Sequence, residues 1–138
     1  MFRATQEIYD AFREEELKCH VVEKAESSYV VAEGRTKLTN LKAMFISKDD
    51  DSDVAMRLYD FVQFDEALTE KVMMVTNEIN TQYRYLKFYV DTRDNSVTVE
   101  WDFPVRCDNV GAVAVEMLFK LIKVTDDIYR EFMKAIWG

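Results

Sequence analysis

The sequence predicts one α+β domain over residues 1–138, an antiparallel sheet of five to six strands with helices packed on it. The expected element order is α-β-β-β-β-α-β-β-α-α. Three observations carry this. Apolar residues alternate strictly along Leu86, Phe88 and Val90, and again along Val97, Val99, Trp101 and Phe103. The segments on either side of these runs, and the amino terminus, instead repeat their apolar residues at helical spacing. Short polar connections separate the strand-like runs before residue 64, as in an antiparallel meander.

The alternating runs form the clearest element. Lys87, Tyr89 and Asp91, then Thr98, Glu100 and Asp102, occupy the intervening positions, so each strand has one buried and one wet face. Thr92 to Asn95 are turn formers, which makes the pair a hairpin. Trp101 falls on the buried parity. Trp101→Ala is therefore expected to cost ~3–5 kcal/mol, and Glu100→Ala almost nothing.

Residues 2–17 read as a helix, with Phe2, Thr5, Ile8, Tyr9 and Phe12 on one side. Glu14, Glu15 and Glu16 crowd its carboxyl end, where the helix dipole disfavours negative charge. Val21-Val22, Tyr29 to Arg35, Leu41 to Ser47 and Val54 to Val62 read as four strands. A helix over 66–82 follows, with Asp65 as N-cap and Leu68, Val72, Val75 and Ile79 along one face. After the hairpin, Asp108 or Asn109 caps a helix running to about residue 123. Thr125 is expected to cap a last one, with Asp126 and Asp127 in its first turn.

With 49% hydrophobic and 13% aromatic residues, the chain belongs among globular proteins. No apolar run approaches the ~18 residues of a membrane span, and the amino terminus lacks a signal-peptide pattern, so a cytoplasmic protein with no membrane partner is expected. The net charge of −8 is concentrated in residues 1–70, with 16 acidic against 9 basic residues. An acidic chain without a basic stripe argues against nucleic acid partners. Cys19 and Cys107 are read as small buried hydrophobes in a reducing compartment.

Candidate chemistry is sparse. Asp49, Asp51 and Asp53 have the alternate spacing of a calcium loop, but Val54 stands where that loop needs glycine and Asp60 where it needs glutamate. A charged turn is the expectation. His20, the one histidine, adjoins Cys19, but neighbouring strand residues point to opposite faces and make no metal or nucleophile–base pair. The glycine-dependent phosphate, dinucleotide and nucleophile-elbow motifs are missing. No enzyme, no cofactor and no metal site is therefore expected. Asn77 and Asn80, one turn apart, read as amides tying the end of the second helix to the next strand. Tyr83, Tyr85, Lys87 and Tyr89 read as an outward-facing set on the sheet, the expected surface for a protein partner.

The runs VTNEINTQYRYLKFYVD and NSVTVEWDFP, with a closing FMKAIWG, resemble bacterial YbjN-domain proteins. The resemblance covers nearly the whole chain and is most specific at Asn77, Asn80 and the hairpin. It implies a fold like that of type III secretion chaperones, here with an additional strand and an additional terminal helix. Those chaperones are small acidic homodimers that bind an extended segment in apolar grooves, and the YbjN family is described as sensory transduction regulators. The resemblance thus implies a chaperone-like or regulatory binding module, homodimeric, with a protein partner; a small-molecule-sensing domain is the alternative.

Overall fold

The computed structural model describes residues 1–48 and 52–138. Helix α1 spans Arg3–Glu14, and four strands follow: β1 Cys19–Glu23, β2 Ser28–Arg35, β3 Asn40–Ser47 and β4 Asp53–Gln63. A 3-10 turn, Glu66–Leu68, leads into α2, Thr69–Gln82. The hairpin is β5, Lys87–Asp91, with β6, Ser96–Pro104, and the chain closes in α3, Val110–Trp137. All strands join one six-stranded antiparallel sheet in the order β1-β2-β3-β4-β6-β5. The predicted α+β class and topology are those observed.

The pairing register separates the two faces of the sheet. Val30, Phe45, Met56 and Trp101 lie in one row across four strands, with Val21 beyond Val30. This parity faces the helices. Phe12, Phe45, Met56, Ile79, Leu118, Leu121 and Phe132 are fully buried there. The Phe12 and Phe45 rings meet edge-on at 5.2 Å. A bulge between Leu58 and Val62, with Asp60 at φ 52°, turns Phe61 inward. Phe61 then packs edge-on against Tyr129 and Phe132. Gly111 lets α1 and α3 approach, because a Cβ there would lie 2.9 Å from both the Ala11 Cβ and the Glu7 carbonyl oxygen.

The two expected closing helices are one 28-residue helix, ~42 Å long at 1.5 Å per residue. Asn109 caps it, accepting from the Ala112 amide at 3.0 Å. Thr125 is no cap. Its buried hydroxyl donates to the Leu121 carbonyl at 2.6 Å, a bond made inside a continuing helix. Asp126 accepts from the Lys37 amide at 2.9 Å and ties α3 to the β2–β3 turn. A threonine–aspartate pair reads as a helix start only when its oxygens find the amides of its own next turn, and here they do not.

Helix α1 also ends earlier than residue 17. Glu16 adopts a left-handed φ of 57°, the Leu17 amide donates to the Phe12 carbonyl and the Glu16 amide to the Arg13 carbonyl. This is a Schellman termination, with glutamate where glycine is usual. Asp65 caps the 3-10 turn ahead of α2, accepting from the Ala67 amide at 3.0 Å.

Candidate binding surface

The four residues expected to share an outward face are divided between two sides. Strand β5 begins only at Lys87, so Tyr83 and Tyr85 precede the alternation. Tyr85 has φ 69°, and the Leu86 amide donates to the Arg84 carbonyl at 2.8 Å. Together these make a γ-turn of the rare, strained hand. The turn sends the Tyr85 ring to the helix side, edge-on to Trp101 at 5.5 Å and under the Lys120 ammonium at 4.8 Å. Tyr83 packs against the core, where burial and then the nearby Asp127 and Glu131 carboxylates of α3 raise its pKa. Only Lys87 and Tyr89 carry the outer parity. Lys87 bends back across the edge to donate to the Asn80 and Tyr83 carbonyls, at 3.2 and 3.4 Å.

Asn80 brackets Phe88 of β5. Its Oδ1 accepts from the Phe88 amide and its Nδ2 donates to the Phe88 carbonyl, both at 2.8 Å. The side-chain amide thus occupies the place of a neighbouring strand and seals that rung of the edge. Asn77 is exposed on α2 and makes no such link among the described residues. Trp101 is half-buried rather than buried. It stacks on Phe103 at 4.9 Å, and the expected full loss on truncation must be lowered accordingly.

Among the described residues the opposite edge is bare. The Glu33 amide donates to the Lys18 carbonyl and the Lys24 amide to the Ser27 carbonyl. With the β1–β2 register, these bonds fix which rungs point inward: His20 and Val22 bond to β2. Cys19, Val21 and Glu23 therefore direct their backbone groups to the open edge.

The outer face carries the feature that composition and motif reading missed. Val22, Tyr29, Ile46 and Ala55 form one cross-strand row, and Val31 with Met44 part of the next. All six are half-buried, on a face that none of the helices covers. Directly opposed residues have Cβ atoms ~5 Å apart, so the side chains make one contiguous patch. Beyond it, Arg57 pairs with Glu100 at 3.4 Å and Asp102 at 2.6 Å. The signal was present in the sequence. Tyr29-Val30-Val31-Ala32 and Ala43-Met44-Phe45-Ile46 are continuous apolar runs without alternation, the pattern of strands apolar on both faces.

Little else gathers chemistry. Asp49 and Asp51 lie outside the described residues, and Asp53 opens β4 as an exposed residue. Among the described residues no three His, Cys, Asp or Glu side chains group as a metal site would require. Both cysteines are half-buried free thiols, and burial raises the Cys19 pKa while Arg13 opposes it. A groove of about 410 Å³ between α1 and α3 is lined by Glu7, Asp10, Glu14 and Glu15 with Ala112 and Val115. No helix is long and apolar enough to cross a membrane.

The model of the YbjN family, described as "Putative bacterial sensory transduction regulator", matches residues 5–133. No curated protein and no solved structure matches the chain.

Proposed function

The chain belongs to the YbjN family, and from that premise we propose a non-enzymatic regulatory module that binds a protein partner on the outer face of its sheet. One observation carries the reading: Val22, Tyr29, Val31, Met44, Ile46 and Ala55 form a contiguous apolar patch on the face opposite the helices. Contiguous exposed apolar surface marks interaction sites, whereas scattered apolar residues do not. A photo-crosslinking side chain at Met44, used in cells, is expected to capture a discrete protein that binds again when purified. Ile46→Asp is expected to abolish that binding while the protein stays folded. Unchanged binding by this variant, with crosslinks forming only from helix-side positions, overturns the reading.

A homodimer is a second reading with its own support, the three bare rungs of β1. Two copies pairing β1 with β1 would join their sheets into one and leave both outer faces free. Light scattering is expected to show a dimer mass, reduced to a monomer by Val21→Pro, which removes a central edge donor. A monomeric mass for the unaltered chain removes this reading. Small-molecule sensing has less behind it. The space between sheet and helices is filled by Phe12, Phe45 and Phe132, and the α1–α3 groove is an open one lined by exposed carboxylates.

A further inference from the structure

We propose that the partner segment on the outer face is acidic as well as apolar, an amphipathic protein segment whose carboxylates meet the cations Lys24, Arg35 and Lys42 beside the patch. This deepens the binding reading above and rests on it. The chain carries −8 overall, yet the exposed side chains bordering the patch that form no ion pair among the described residues are mostly cations, with Asp53 beside Ala55 the carboxylate among them. Strand parity places Lys18, Glu33, Arg35 and Lys42 on the outer face, and the Lys24 ammonium lies over the Tyr29 ring at 5.8 Å on the same face. Lys18 is neutralised by Glu33 at 3.1 Å. Lys24, Arg35 and Lys42 are exposed and have no ion pair among the described residues. On the fourth side Arg57 is already held by Glu100 and Asp102.

An apolar centre inside a polar, charged rim is the anatomy of a protein interface. The rim's sign selects the partner: carboxylates gain from these cations, and lysines lose. A second copy laid patch on patch would bring this basic border against itself, so self-packing is disfavoured on this face. Nucleic acid fits poorly for a different reason. Its phosphates would gain nothing from Val22, Val31, Met44 and Ile46, and the rest of the molecule repels them.

The test uses two short synthetic peptides, one alternating leucine and glutamate, the other leucine and lysine. Binding is read from the backbone amide resonances of the full chain. The leucine–glutamate peptide is expected to shift Val22, Val31, Met44 and Ile46 and to bind roughly tenfold more tightly than its lysine counterpart. The difference is expected to shrink as salt is added. The double variant Lys24→Glu with Lys42→Glu is expected to invert the preference, and both sites are exposed, so the fold persists. Equal binding of both peptides to these amides overturns the charge assignment but leaves the face a docking surface. Shifts confined to other amides overturn the proposal, as does an oligodeoxynucleotide that moves the same resonances as strongly. Concentration-dependent shifts of these amides without peptide would show a second copy there, and also overturn it. Failure of both peptides together with failure of crosslinking at Met44 removes the docking surface itself.

Discussion

The two halves of the sheet solve the same problem differently. On β4, β6 and β5 the strands alternate, the inner parity is apolar, and the outer parity is occupied by Arg57, Glu100, Asp102 and Lys87. There Arg57, Glu100 and Asp102 satisfy one another as ion pairs, and Lys87 donates to the Asn80 and Tyr83 carbonyls. On β1, β2 and β3 the outer parity carries apolar residues as well, Val22, Tyr29, Val31, Met44 and Ile46, and no helix covers them. The edges differ in the same sense. Asn80 closes β5, whereas β1 leaves the rungs at Cys19, Val21 and Glu23 open. One half is finished as an isolated molecule and the other is not. Apolar groups kept at a surface without contributing to the core suggest a use outside folding.

The sharpest way to break this comparison is a pair of truncations at adjacent residues of β3. Phe45→Ala removes a fully buried ring that meets Phe12, and is expected to cost ~3–5 kcal/mol in chemical denaturation. Ile46→Ala, one residue along and on the outer face, is expected to cost less, ~1–2 kcal/mol, since that side chain is only half-buried and no helix packs on it. Equal losses would mean that the outer patch is part of the core.

In the finished half, Trp101→Ala is expected to cost about 2 kcal/mol, below the full range for a buried tryptophan because its ring is only half covered. Glu100→Ala should lie within ~1 kcal/mol of the unaltered chain, as a half-buried member of an ion pair at the surface. A loss of equal size at both positions would erase the distinction between the hairpin's two faces.

A smaller effect of opposite sign is expected at Ser47. It lies on the inner parity beside Val54, fully buried, and its hydroxyl has no hydrogen-bond partner among the described residues. Replacing it with alanine removes an unsatisfied polar group, and a gain of up to ~1 kcal/mol is expected in the denaturation midpoint. A loss would show that the hydroxyl has a partner.

The smallest concerns the hairpin turn. Asp91 accepts from the Arg93 side chain at 3.0 and 2.8 Å and from its backbone amide at 3.0 Å. These bonds, the side-chain one foremost, hold its pKa below the ordinary 3.8. The folded state therefore binds this proton less readily than the unfolded chain. Its stabilising contribution is present above the unfolded value and is lost as pH falls through the folded one. Asp91→Asn should be slightly less stable than the unaltered chain at neutral pH, with the difference closing in acid. A difference independent of pH would remove the carboxylate from the account.

Much of the fold was legible because its causes are local. Periodicity decides whether a segment is strand or helix, and the hairpin's inner residues Phe88, Val97, Val99 and Phe103 were readable from alternation alone. The reading failed where one residue changes the phase. The γ-turn at Tyr85 removed Tyr83 and Tyr85 from the outer face, and the Leu121 carbonyl drew Thr125 into a continuous helix. Local pattern also misjudged charge. Lys24, Arg35 and Lys42 are far apart in an acidic chain and form no stripe along it.

By itself, the sequence determined the class of fold, the order of its strands along the chain and the family, because apolar spacing and a few motif residues carry those over short distances. The tertiary structure decided which apolar residues remain uncovered. Strand pairing sets Val22 beside Tyr29, Tyr29 beside Ile46 and Ile46 beside Ala55, and it gathers the cations around them. A surface of this kind is a property of register between distant segments, and register is written in no single one of them.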